Sequence, residues 1–291
     1  MQLNPSQLNE LATIAIKAAS EAGIYIAKQS KKQFAVHKKQ SGENLASQVL
    51  TEIDLASEKI ILQHIKPSLH KYDLALLSEE TVDNKSRFEK DYFWCIDPLD
   101  GTLPFIEQTD GYSVSIALVD KSGKPHIGVI YNPVDDTLYH AIIKQGAYKN
   151  RQKWRLKTSD KKHTLVCDRS LINHALYNQI ISLIKNQSSN NYQLISHGGA
   201  AMNAMWVLEN APAIYLKPPK ASNGGGSLWD YAASACIFKE LGAFAQSFNG
   251  EELDLNRAES TFMNHKGILY ASYQHLANSM REYLITGLAK D

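Results

Sequence analysis

Asp97 and Asp100 stand three residues apart in "DYFWCIDPLDGT", Asp91 to Thr102. Pro98 between them fixes its own φ at about −65° and holds Asp97 extended. Asp100 then comes round onto roughly the same side. Gly101 can take a positive φ and let backbone approach a ligand, and Thr102 adds a hydroxyl beside exposed N–H groups. The preceding run "YFWCI" is too apolar for a surface hairpin. A carboxylate buried at its end is costly unless paired or bound to a cation, and no basic residue stands beside it in sequence.

Three further places carry acids in suggestive settings. Glu79 and Glu80 end "DLALLSEE", a second short apolar run. If the two strands are neighbours, their terminal acids converge at one edge. Asp230 follows Ser227 by three, at the start of "SLWDYAASACIFKELG", and Asp54 interrupts an apolar helical stretch in "TEIDLASE". A cluster of hard carboxylate oxygens without Cys or His suits Mg²⁺, Ca²⁺ or Mn²⁺ rather than Zn²⁺. Each acid also has an ordinary explanation. Asp-Pro-Asp-Gly-Thr is turn chemistry, "SEE" is a solvated strand end, Asp230 is half of a capping box, and Asp54 is an exposed helix position. Other chemistry finds less support. The histidines form neither HExxH nor HxH, no GxSxG elbow accompanies a serine, and Gly224–Gly226 is neither a dinucleotide fingerprint nor a P-loop.

The elements that must position these acids follow from hydrophobic period. Leu8, Leu11, Ala15, Ala18, Ala22 and Tyr25 form a helical stripe from Pro5 to about Gln29. "KKQFAVHKKQSGEN" then reads as a loop with a short strand. A second helix is expected from about Leu45 to Ile65, stopping before Pro67. Leu74 to Lys149 reads as strand-rich and largely antiparallel, with turns at Ser122–Pro125 and Gln145–Gly146. The rest alternates strand and helix: "HTLVCD", "NHALYNQIISLIKN", "NYQLIS", Gly198–Leu208, "APAIYLK", then a helix closed by Gly242. This predicts an α+β lobe over 1–155 that carries most of the acids. An α/β lobe over 156–291 would complete the site, with the boundary near Asn150–Ser159.

Bulk properties narrow the class. The 291 residues, 44% of them hydrophobic, can bury a substantial core. Lys plus Arg number 31 and Asp plus Glu 30, a net of +1. That balance offers no field to attract nucleic acid or an anionic membrane. Any bound anion must be held by a local device. Cys95, Cys167 and Cys236 are odd in number and lack CxxC spacing, as expected of buried thiols in a reducing cytoplasm. The start "MQLNPSQLNE" lacks the features of a signal peptide.

"WCIDPLDGT", Trp94 to Thr102, resembles the first signature of the inositol monophosphatase superfamily. "LWDYAASACIFKELGA", Leu228 to Ala243, resembles its second. "LLSEE", "TEIDLASE" and "GVIYNPVDDTLYHAIIKQGA" fit in order and spacing, so the resemblance spans about Thr51 to Gly250. It implies a layered αβαβα sandwich and an Mg²⁺-dependent, often lithium-sensitive, phosphomonoesterase acting on a small phosphorylated substrate. Glu79, Asp97, Asp100, Asp230 and the Leu99 carbonyl would ligate more than one Mg²⁺. Thr102 and Asp54, with Glu79, would activate or position water, and the N–H groups of Gly101 and Thr102 would grip phosphate. Dimers are common among such relatives.

For the substrate, "DGYSVSIAL" and "ELDLNRAESTFMNHKGILYAS" look like the 3′(2′),5′-bisphosphate nucleotidases, which convert adenosine 3′,5′-bisphosphate to AMP and phosphate. Leu103-Pro104-Phe105 stands where that branch has Lys-Glu-Phe, and "NGGGSLWD" where it has Gly-Pro-Thr before Trp-Asp. An inositol or other sugar monophosphatase is the alternative, and a silent metal-binding protein a more remote one.

Overall fold

The computed structural model describes residues 2–37, 43–157 and 162–288, with side chains described outside 32–49 and 284–288. Two long helices, α1 (Pro5–His37) and α2 (Glu43–Lys71), begin the chain. A seven-stranded sheet follows: β1 (Ala75–Ser78), β2 (Tyr92–Asp100), β3 (Ser113–Asp120), β4 (Pro125–Asn132), β5 (Thr137–Ile142), β6 (Gly146–Lys149) and β7 (Gln152–Lys153), in sequential order. A short helix α3 (Thr102–Glu107) lies between β2 and β3. Only β1 and β2 pair in parallel; the other neighbours are antiparallel.

The second sheet has five strands in the order β11-β12-β10-β8-β9: β8 (His163–Val166), β9 (Tyr192–Ile195), β10 (Ala213–Lys217), β11 (Phe244–Gln246) and β12 (Ile268–Ala271). Its helices are α4 (Arg169–Ile172), α5 (Tyr177–Gln187), α6 (Ala200–Glu209), α7 (Leu228–Leu241) and α8 (Gln274–Leu288).

Five layers result. α1 and α2 cover one face of the large sheet, and α6 and α7 fill the space between the two sheets. α5 and α8 cover the outer face of the small sheet. The alternation of β2 explains why it is apolar throughout. Tyr92, Trp94 and Ile96 point into the core beneath α1 and α2, while Phe93 and Cys95 point into the core shared with α6 and α7. Both faces are covered, so neither can be polar. A third core joins the small sheet to α5 and α8 through residues such as Ile180, Ile214 and Met280.

The helical stripe of α1 is buried as its period requires, with Leu11, Ala15, Ala18 and Ala22 fully enclosed. Two expected boundaries are corrected. α1 does not stop near Gln29 but continues through "KKQFAVH", where a loop was expected. That segment contains no Gly or Pro to end a helix. Residues 38–42 of the expected loop and strand lie outside the described residues. α2 does not stop before Pro67 but runs on to Lys71. A proline there removes one N–H and crowds a carbonyl one turn back. Packing after it holds the turn: Ser68 Oγ donates to the Ile65 carbonyl at 2.6 Å, and Trp94 Nε1 donates to Ser68 Oγ at 2.9 Å. Pro67 itself faces solvent. The strand reading also missed α3, because Thr102–Glu107 is too short to show a helical period.

Candidate metal centre

The acids meet where β1 and β2 end. Their parallel register pairs Ser78 with Ile96, and the next step places Glu79 beside Asp97, with the Glu79 N–H donating to the Ile96 carbonyl at 3.2 Å. β2 bulges between Asp97 and Asp100 against β3. Asp97 Oδ1 accepts the Leu99 N–H at 3.0 Å, closing the tight turn that Pro98 starts. Gly101 follows with φ 89° as the residue before α3. A side chain there would strain the backbone and would also put a Cβ 2.7 Å from the Gly111 carbonyl.

Asp100 is held from the opposite direction. Ala200 and Ala201 open α6, and their N–H groups donate to its two carboxylate oxygens at 3.0 and 2.8 Å. The free N–H groups of a helix start favour a negative charge at this position. Gly199 permits the approach, since a Cβ there would lie 2.5 Å from Asp100 Oδ2 and 2.7 Å from Gly101. Asp230 opens α7 in a capping box with Ser227, whose N–H donates to Asp230 Oδ2 at 2.8 Å. Ser115 Oγ fixes the same helix end to β3 by donating to the Trp229 carbonyl at 2.9 Å. The cap reading of Asp230 and the site reading are thus compatible: one oxygen caps and the other remains available.

Asp97, Asp100 and Asp230 each bring a carboxylate oxygen within 4.8 Å of the others. Asp97 and Asp100 are buried, at 2% and 5% exposure. Burial is the first cause that raises all three acids; neighbouring carboxylates add to it at Asp97 and Asp100, whereas Asp230 is pulled back by Asp97, Lys217 and the Ser227 N–H. Asp97 is pushed well above the carboxylate range by burial, Glu79, Asp230 and Asp100, and its carboxyl lies within hydrogen-bonding reach of that of Asp230. Asp100 is raised to about 7 by burial and Asp230, against the pull of the Ala200 and Ala201 N–H groups and Lys217. Glu79 exposes part of its side chain, yet its carboxyl sits among these acids. Burial and Asp230 raise it to about 7, and a bond to Asp97 pulls the other way. Asp54 lies further out on α2, half-buried and raised to about 7 by burial and by Glu80.

Such a cluster is held together at a cost that a cation would remove. The donor set is all oxygen, fixed by backbone, and fits Mg²⁺. The structure therefore brings Asp97, Asp100 and Asp230 to one point with Glu79 bonded at its side. Asp54 stands next to Glu79 and Glu80 rather than within the trio. Leu99 is buried inside the turn. Thr102 is exposed, and no hydrogen bond joins it to Asp54 among the described residues. Reading the sequence missed two contributors: the Gly199-Ala200-Ala201 helix start and Lys217. The "GGAA" at 198–201 was the available signal for the first. For Lys217 there was only a basic residue ending an apolar strand.

Comparison with known proteins agrees with the layered fold. The profile of the inositol monophosphatase family matches residues 7–284. The Nus factor SuhB of Salmonella typhimurium is 29% identical over 84% of this chain and 87% of its own length. The inositol-1-monophosphatase of Bacillus subtilis is 26% identical over 94% and 97%. Among solved structures, CysQ from Bacteroides thetaiotaomicron superposes with a TM-score of 0.73 at 27% identity, covering 91% of this chain and 98% of CysQ. The staphylococcal SaIMPase-II with 2′AMP bound gives 0.70 at 26%, covering 97% and 100%.

Proposed function

Because the chain belongs to the inositol monophosphatase family, a family of phosphatases, we propose that it is a cytoplasmic Mg²⁺-dependent phosphomonoesterase whose preferred substrate is adenosine 3′,5′-bisphosphate. The observation that carries the catalytic reading is the convergence of Asp97, Asp100 and Asp230 within 4.8 Å. Three free, buried cysteines accord with the compartment, and among the described residues no helix is long and apolar enough to cross a membrane.

Glu79, Asp97, Asp100, Asp230 and the Leu99 carbonyl would hold the metal. When bound, Mg²⁺ supplies charge neutralisation and a more acidic water. The chain's own residues do the rest. The N–H groups of Gly101 and Thr102 receive phosphate oxygens. The Thr102 hydroxyl orients the attacking water, with Asp54 and Glu79 beside it. Carboxyls raised to about 7 are matched to accepting a proton near neutral pH. Water attack forms one P–O bond and breaks the ester P–O bond. One water proton passes to carboxylate and is then given to the leaving oxygen, which departs as the alcohol, while the other stays on the released phosphate.

The nucleotide preference rests on the "DGYSVSIAL" and "ELDLNRAESTFMNHKGILYAS" segments, and the likeness to a structure with 2′AMP bound accords with it. An inositol monophosphatase is the second reading, favoured by the Bacillus relative. Phosphate release from adenosine 3′,5′-bisphosphate and inositol 1-phosphate, each with Mg²⁺ and then with Li⁺ added, tests both. The nucleotide should turn over faster and Li⁺ should inhibit. Faster hydrolysis of inositol 1-phosphate reverses the preference. No turnover of any phosphomonoester, with Mg²⁺ still bound, favours a binding role instead.

A further inference from the structure

Arg87 is a fully buried guanidinium that the catalytic scheme does not use. Withdrawing its charge from water is costly unless its donors are met. They leave in three directions. Nε donates to Asp83 Oδ2 at 2.9 Å, four residues back. Nη1 donates to Asn256 Oδ1, and Nη2 donates to the Arg257 carbonyl at 3.0 Å. Asn256 bonds in return, its Nδ2 donating to the Arg87 carbonyl at 3.4 Å and to the Lys121 carbonyl at 2.9 Å. The Phe88 ring covers the guanidinium at 4.0 Å. A pair with Asp83 alone would close one loop. Two of the three nitrogens instead cross to residues 169 and 170 positions later.

Both of the joined segments lead to carboxyls of the metal centre. On one side, residues 80–87 continue directly from Glu79 at the end of β1. Thr81 Oγ1 donates to Glu58 Oε1 on α2 at 2.9 Å, and Asp83 is the next residue held after the exposed Val82. On the other side, residues 257–263 lie against the start of α7. Arg257 Nη1 donates to the Phe262 carbonyl at 3.0 Å. Phe262 bridges Ser227, the Leu228 N–H donates to the Thr261 carbonyl at 2.9 Å, and the Met263 N–H donates to the Gly226 carbonyl at 3.0 Å. These bonds fix the chain on both sides of Ser227, whose N–H holds Asp230.

The acids differ in how they are anchored. Backbone N–H groups hold the carboxyls of Asp97, Asp100 and Asp230. Among the described residues, none reaches the Glu79 carboxyl, which is bonded to that of Asp97 and repelled by Asp230. The strand end that carries Glu79 and the helix start that carries Asp230 therefore need a tether against their like charge.

We propose that Arg87 is a positioning residue: with Asn256 it clamps the Glu79 arm to the segment that holds the Asp230 arm, and so fixes the separation at which these carboxyls receive a divalent cation. The inference rests on the metal-dependent reading above and adds to it a residue that touches neither metal nor substrate. Its contribution is to cation affinity, because a group that orients a metal ligand typically carries about 10- to 100-fold of the binding.

The test measures cation binding directly, by calorimetric titration with Mg²⁺ and by electron paramagnetic resonance of Mn²⁺, beside phosphate release as a function of Mg²⁺. Arg87→Lys keeps the charge and loses the planar fork that reaches Asn256 and Arg257 together. It should weaken cation binding roughly 10- to 100-fold. The Mg²⁺ concentration for half-maximal rate should rise by the same factor, with kcat at saturating Mg²⁺ near the wild-type value. Asn256→Ala should act alike, and it removes no charge, so it keeps the test valid if Arg87→Lys fails to fold. The double variant should bind no more weakly than the single ones, since both break one clamp. Glu209→Gln, which loses the Lys149 ion pair and the Tyr139 bond between β5, β6 and α6, should lower the melting temperature and leave cation affinity unaltered. If Arg87→Lys and Asn256→Ala do only that, their role is packing and the clamp is overturned. A wild type that binds Mg²⁺ but hydrolyses no phosphomonoester defeats the phosphatase reading, and the binding titrations then decide the clamp alone. A wild type that binds no divalent cation defeats both.

Discussion

Two pairs of parallel strands end beside the same site, and their ends carry different charges. β1 and β2 deliver Glu79 and Asp97, joined by Asp100 and Asp230, with no direct ion pair to any of the four among the described residues. β8 and β10 deliver Asp168 and Lys217 as a ready-made ion pair. The first edge raises the pKa of Asp97, Asp100 and Glu79 because like charges are forced together out of water. At the second edge the Lys217 ammonium and the Ser170 and Leu171 donors hold Asp168 below the usual carboxylate range despite its burial. One edge gathers carboxylates whose repulsion a divalent cation would relieve. The other is satisfied by its own ion pair.

The largest expected effect comes from removing charge at the first edge. Asp97→Asn keeps the volume of the side chain and should lower kcat/KM by roughly 10³-fold or more, on the scale of losing a preorganised electrostatic group. Circular dichroism should stay native. Near-normal rates would show that Asp97 holds no metal. Asp54→Asn lies outside the trio and should cost less, roughly 10²-fold in kcat, the scale of a lost proton acceptor. Its mutant should also lose the acidic limb of the pH–rate profile near 7. Retention of that limb would assign it to Glu79.

At the second edge, Asp168→Asn leaves Lys217 without its carboxylate. Urea denaturation should register a loss of about 2 kcal/mol, discounted from a fully buried pair because both groups touch solvent. No measurable loss would mean that the pair is solvated and that the two edges are less different than their geometry suggests. The smallest effect concerns pH. Asp54, Glu79 and Asp100 have folded pKa values of about 7, above the ordinary values of about 4. Between those values the folded state binds more protons than the unfolded, so stability falls as pH rises. Metal-free protein in EDTA should melt roughly 5 °C lower at pH 8 than at pH 5. Saturating Mg²⁺ should abolish or invert that trend, since it replaces the protons. A melting temperature that climbs with pH in EDTA would contradict the acid cluster.

Much of the layout was legible because its signals are local. The stripe from Leu8 to Ala22, the alternation of β2 and the turn residues Pro98 and Gly101 need only neighbouring residues to be read. α2 shows the limit. Pro67 reads as a stop, yet Trp94, bonded to Ser68 from another element, carries the helix past it. Lys217 shows it again: nothing near it in sequence reveals a partner 49 residues earlier.

Residue type and short-range spacing on their own determined which carboxylates were candidates to bind a divalent cation and which strand ends and helix starts carry them. Hydrophobic period and backbone restriction act over a few residues, so they survive in a linear reading. Which acids share a point, how closely Gly199 lets α6 approach Asp100, and where Lys217 directs its charge were decided by tertiary packing. These are distances between residues far apart in the chain, and they exist only once the five layers have been pressed together.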